Sequence, residues 1–124
     1  MEFDRAATEA EIRAAFDAYE TALVTNDVER LVGFFWNDPR AARLSPEGGL
    51  YGYEEIAGFR RGRDASDLGR ELSEVRIVAF SADFGAATCE YRRTGSGRRG
   101  AQSQVWMRRA EGWRIVSAHV SLAP

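Results

Sequence analysis

The sequence predicts an α+β domain in which N-terminal helices pack on a curved antiparallel sheet. Apolar residues recur at helical spacing in the first half of the chain and alternate with a period of two in the second. Short turns separate the alternating runs, so the strands follow one another as hairpins rather than alternating with helices. A length of 124 residues suits a single domain spanning 1–124 with one core.

Thr8 and Glu11 form a capping-box pattern that predicts the start of the first helix. Ile12, Ala15, Phe16, Tyr19 and Leu23 then make one apolar stripe, which places Tyr19 on the interior face. Asn26 and Asp27 break this helix and are set to cap a second, with Val28, Leu31, Val32 and Phe35 inward and Pro39 as its terminator. From Arg40 to Tyr53, Pro46 and Gly48-Gly49 predict short extended chain around a turn. A short third helix with an arginine-rich end is predicted over Glu54 to Arg63, followed by a polar turn to Gly69.

Val75, Ile77 and Ala79 alternate with polar neighbours, predicting a strand to about Phe80. Ser81-Ala82-Asp83, Gly95-Ser96-Gly97 and Glu111-Gly112 mark the turns between this strand and those at Phe84 to Arg93, Ala101 to Arg109 and Trp113 to Leu122. In the last strand strict alternation puts Trp113, Ile115, Ser117, His119 and Ser121 on one face. A long helix covered by a twisted sheet leaves a cavity where the cone cannot close.

Hydrophobic residues form 44% and charged residues 29% of the chain, a globular composition. A net charge of -2 argues against a nucleic-acid partner. All 17 basic residues are arginine, which removes lysine Schiff-base and general-base chemistry. Cys89 stands alone, so no disulfide framework is expected. The acidic start MEFDRAATEAEIR is unlike a secretory leader, and no apolar run reaches the length of a membrane helix; the expected location is cytoplasmic, without membrane contact. One histidine and one cysteine fall short of a usual metal-ligand set, and no glycine-rich nucleotide fingerprint follows a strand. The expectation is therefore no metal and no cofactor.

Three helices followed by a four-stranded meander ending in GWRIVSAHVS resemble the nuclear transport factor 2-like superfamily, with its cone-shaped fold. The runs FDAYETALVTNDVERLVGFFWNDPRAAR, LYGYEEIAGFRRGR and QSQVWMRRAEGWRIVSAHVS are similar, more specifically, to the family of AtzH and the oxalurate catabolism protein HpxZ. Gly100-Ala101 before Gln-Ser-Gln, Val105 after it, and Tyr53-Glu54 depart from that family's common pattern. The resemblance implies an amidohydrolase acting on a carboxylated urea such as 1,3-dicarboxyurea, with a catalytic pair at Tyr19 and Arg43.

The residues themselves leave alternatives. Tyr19 reads either as a core aromatic with a backbone partner or as a phenol donating to a developing oxyanion. Arg43 reads either as a surface residue paired with Glu47 or as a clamp on a substrate carboxylate. Arg60, Arg63 and Arg70 are candidates for a second anion contact, against the alternative of a solvated helix face. Gln104 is expected inward in preference to Ser103. His119, the single histidine, is either structural or orients substrate, and Ser121 shares its face. Cys89 reads as a buried small hydrophobe rather than a nucleophile. The expected partners are a small carboxylate-bearing ligand and a second copy of the chain, docked through the outer sheet face with Trp106 as a candidate contact. A non-catalytic dimeric binding domain is the alternative to an enzyme. A ketosteroid-isomerase type of reaction would need an inward Asp, which the strands do not supply.

Overall fold

Asp4 starts the first helix: its carboxylate accepts a hydrogen bond from the Ala7 N–H at 3.0 Å, and α1 runs over Arg5–Val24. The start lies one turn ahead of the Thr8 box. Thr8 is buried inside the helix, and Glu11 turns outward to accept from Arg108 at 2.8 Å and from the Trp113 indole at 3.0 Å. These bonds tie α1 to the far end of the sheet. The computed structural model describes residues 2–124.

The predicted stripe forms the center of the core, with Ile12, Phe16, Tyr19 and Leu23 all buried. Full burial of a side chain such as Phe16 contributes roughly 1.5–3 kcal/mol. Helix α2 is Val28–Val32 and ends at Gly33, well before Pro39. The chain leaves the helix early because it begins to pair with the sheet: Phe35 bridges Ile115, and the Ile115 N–H donates to the Phe34 carbonyl at 2.7 Å. That pairing replaces the expected proline stop.

Strands β1, Ala42–Ser45, and β2, Gly48–Tyr51, form a hairpin around Pro46 and Glu47, and α3 follows at Tyr53–Gly62. Strands β3 to β6 are Arg70–Ser81, Phe84–Arg93, Arg99–Arg109 and Gly112–Leu122. They form the predicted antiparallel meander within a six-stranded sheet of order β2-β1-β6-β5-β4-β3. The sheet is mixed rather than purely antiparallel, because β1 lies parallel to β6 with Arg43 opposite Ala118. Two bulges bend it. Glu74, at a φ of 51°, interrupts β3, and Val116 is the extra residue where β6 shifts register against β5.

The Val116 bulge reverses the alternation of β6. Trp113 and Ile115 face the core, but beyond Val116 it is Ala118 and Val120 that oppose the inward Gln104 and Gln102. Trp106 is 0% exposed. It packs edge-on against Tyr19 and Phe34, with ring centers 6.3 and 6.0 Å away, so it belongs to the core and not to the outer face where a dimer contact was expected. At Gly100 the missing side chain lets the Tyr91 ring and the Ser121 carbonyl close over the strand.

Candidate functional site

Helix α1 brings Tyr19, 2% exposed, to the wide end of the cone. Helix α3 buries Ile56, Ala57 and Arg60 on its inner face, and Arg60 is only 4% exposed. Arg60 Nη2 donates to the Tyr19 hydroxyl oxygen at 2.8 Å, and its Nε has no partner among the described residues. The phenolic O–H of Tyr19 is left free to donate, and the cationic neighbour polarises it.

Strand β1 carries Arg43 to the same space, opposite inward-facing Ala118. Its guanidinium carbon lies 4.8 Å from the center of the Phe59 ring. Arg60 and Arg63 approach the same ring, each at 5.9 Å, so one aromatic ring gathers three cations. None of the ion pairs among the described residues involves Arg43, Arg60 or Arg63. The Glu47 pairing is therefore not formed. Burial, and then the charge of Arg60, pushes the Arg43 guanidinium down to about 10 and that of Arg63 down to about 9.

Arg70 is placed differently. Its Nε donates to Glu20 at 3.1 Å, its Nη2 bonds the other Glu20 oxygen and also donates to Gln102 at 3.0 Å. Burial opposes the Arg70 charge, but Glu20 outweighs that, and the net shift is upward. Arg70 thus borders the cavity with its charge already matched, stacked 4.4 Å from the Tyr91 ring center. Neither Arg60 nor Arg70 sits on the solvated helix face that was their alternative reading. Gln104 points inward as expected, 2% exposed, and accepts from the Trp106 indole at 3.0 Å.

His119 borders the inner cavity and Ser121 the outer chamber, but their side chains do not share the face of Trp113 and Ile115 that strict alternation predicts. The Val116 bulge places their side chains opposite Ser103 and Ala101, on the sheet face away from the helices, and His119 is exposed. What Ser121 contributes near the site is its backbone carbonyl, which accepts from the Tyr91 hydroxyl at 2.8 Å.

The inner cavity has a volume of about 40 Å³, bordered by Tyr19, Arg43, Arg60, Arg63, Tyr91 and Gln104. It adjoins a wider chamber of about 450 Å³ that shares Arg43, Arg63, Tyr91 and Arg93. No Asp or Glu side chain borders the inner cavity. Arg93 has a carboxylate partner, Asp67 at 3.9 Å, whereas Arg43, Arg60 and Arg63 form no ion pair among the described residues although Glu47 and Asp64 line the outer chamber, which leaves positive charge that an anion would neutralise. Phe59, Tyr91, Arg93, Gln102 and Glu20 were not singled out from sequence. Tyr91 had a usable signal, since it alternates with Ala87 and Cys89 on the buried face of β4. Glu20 had none, because its partner lies 50 residues away.

Cys89 is buried, and that burial pushes its thiol up to about 11. Among the described residues no three of His, Cys, Asp or Glu come together. No described helix is long and apolar enough to cross a membrane.

A family model described as AtzH-like matches residues 1–124. The chain belongs to the AtzH-like family. This AtzH-like chain is 43% identical to a crystal structure of a protein of unknown function, of the DUF3225 family, from Pectobacterium atrosepticum, with a TM-score of 0.91 over 97% of this chain and 94% of that one. It is 34% identical to a cystatin-like fold protein from Burkholderia xenovorans, with a TM-score of 0.87 over 95% of each chain. A nuclear transport factor 2-like protein from Salmonella enterica, at 22% identity and a TM-score of 0.76 over 96% of this chain and 93% of that one, shares the fold. No curated protein matches the sequence.

Proposed function

We propose that the cavity hydrolyses a small carboxylated urea, with 1,3-dicarboxyurea as the type substrate, as in the AtzH and HpxZ group, in cytoplasmic nitrogen-compound catabolism. The observation that carries this reading is the grouping of three arginines without carboxylate partners beside a phenol whose proton is free to donate. Arg43 holds a substrate carboxylate by paired hydrogen bonds. Water adds its oxygen to the carbonyl carbon, and Arg60 together with the Tyr19 O–H faces the oxyanion that forms. As the C–N bond breaks, Tyr19 passes its proton to the departing nitrogen and is restored by a proton from the attacking water. The cavity lining, rich in cations and free of carboxylates, favours this electrostatic route over proton abstraction by an acidic side chain.

The test is to supply 1,3-dicarboxyurea generated in situ and follow its loss. The expected result is consumption by the wild-type chain and a large drop in both Tyr19→Phe and Arg43→Ala. Wild-type rates in both variants would overturn the assigned roles.

A second reading, a dimeric ligand-binding domain, is favoured by the outer sheet face. Val78, Phe80 and Phe84 are exposed there, Phe80 at 56%, and the Phe80 and Phe84 ring centers lie 5.7 Å apart with the rings tilted by 41°. A homodimer through this face is compatible with either function. Sedimentation of wild type and Phe80→Asp reads it: a dimer that the substitution dissociates supports the interface, and a monomeric wild type removes it.

A further inference from the structure

We infer that Arg63 forms a second carboxylate subsite where the inner cavity meets the outer chamber, so that the site selects dicarboxylates over monocarboxylates. The inference rests on the carboxylated-urea reading for its first subsite, at Arg43, and adds the second from a separate observation.

Arg40, Arg61 and Arg70 each hold a carboxylate by the same edge of the guanidinium, the one bearing Nε and Nη2. Arg40 presents it to Asp38 at 2.9 and 3.0 Å, Arg61 to Glu29 at 3.0 Å for both bonds, and Arg70 to Glu20. In Arg63 that edge is buried, and neither Nε nor Nη2 has a partner among the described residues. Two parallel donors match the two oxygens of a carboxylate. Leaving both unpaired at a buried position is costly, and the cost is removed when an anion accepts from them.

The position of the group defines what that anion is. Arg43 and Arg63 both border the inner cavity and the outer chamber, on one Phe59 ring. A ligand whose first carboxylate meets Arg43 therefore has a second cation within reach on the same aromatic platform. The inner cavity, about 40 Å³, admits only a small end group, so the class is a dianion that is small at the end held by the inner cavity and carries its second carboxylate toward the outer chamber. Arg93 is a poorer second anchor because Asp67 already offsets its charge.

Calorimetric titration of the full chain with acetate, propionate, malonate and succinate at matched ionic strength tests the subsite without any turnover. The wild type should bind the better of the two diacids at least about tenfold more tightly than either monoacid. Arg63→Gln should bring that ratio to within about twofold while acetate affinity stays near wild type, and Arg63→Lys should retain part of the preference by keeping the charge. A wild type without preference, or an Arg63→Gln variant that weakens both ligand classes equally, overturns the subsite. Diacid preference with no consumption of 1,3-dicarboxyurea would sink the hydrolase reading and leave the subsite standing. Consumption without preference does the reverse.

Discussion

Arg60 donates a 2.8 Å hydrogen bond to the Tyr19 hydroxyl across 41 residues of sequence, in the buried end of the cavity. Each group thereby satisfies the other. Arg60 gains an acceptor for one of its buried donors, and Tyr19 gains a fixed ring orientation with its proton left free to donate. The pair is thus a structural element and a reactive one at once.

Removing the hydroxyl separates these contributions. Tyr19→Phe leaves a buried Arg60 donor unpaired and should cost about 1–3 kcal/mol in urea unfolding. If the hydroxyl also faces the oxyanion, turnover falls by about 10²–10³-fold. An unfolding loss with unchanged turnover would make Tyr19 a packing residue alone.

Arg43 and Arg63 should trade stability for binding. Their folded-state values, about 10 and about 9, lie below the ordinary arginine range. The unfolded chain therefore holds these protons more tightly, and stability rises as pH climbs through 9 and 10; below that range the buried charged forms carry their full penalty. Arg43→Gln and Arg63→Gln should accordingly equal or exceed wild type in urea midpoint at pH 7, with any advantage shrinking at pH 10.5, while dicarboxylate binding weakens. Variants clearly less stable than wild type at pH 7 would show that these arginines support the fold.

Cys89 should be chemically quiet. Burial places its thiol at about 11, up from 9.0, so the thiolate fraction at pH 8 is about a hundredfold lower than in the unfolded chain. Iodoacetamide at pH 8 should label the native protein slowly and the urea-unfolded protein quickly. Rapid native labelling would place Cys89 in an open, electropositive environment instead.

Gly100 should resist substitution. A Cβ there meets the Tyr91 ring and the Ser121 carbonyl, the two groups joined by the 2.8 Å bond that holds Tyr91 beside the cavity. Gly100→Ala should lower stability by about 1–3 kcal/mol. The control is Gly58→Ala on α3, where a Cβ meets nothing within 4 Å, and a gain of roughly 0.5–1 kcal/mol is expected from helix propensity.

Much of the molecule was readable residue by residue. The inward turn of Tyr19 followed from a helical stripe, and the inward turn of Gln104 was one of two choices on its strand. The first helix began a turn early because Asp4, not Thr8, supplies the cap. The second ended early because Phe34 and Phe35 were drawn into pairing with Ile115. His119 and Ser121 were assigned by strict alternation, which a single bulge at Val116 reverses. Trp106 was placed outward for want of any signal that its indole would find Gln104.

The sequence by itself determined the layers, since the periods of 3.6 and 2 are local properties that survive any arrangement of the elements. It also determined the reservoir of arginine and the lack of lysine. The tertiary structure alone decided which arginines are neutralised. Arg70 meets Glu20 and Arg93 approaches Asp67, whereas Arg43, Arg60 and Arg63 gather on Phe59 without a carboxylate. Charge compensation depends on distances between groups far apart in the chain, and only the closing of the sheet around α1 and α3 sets those distances.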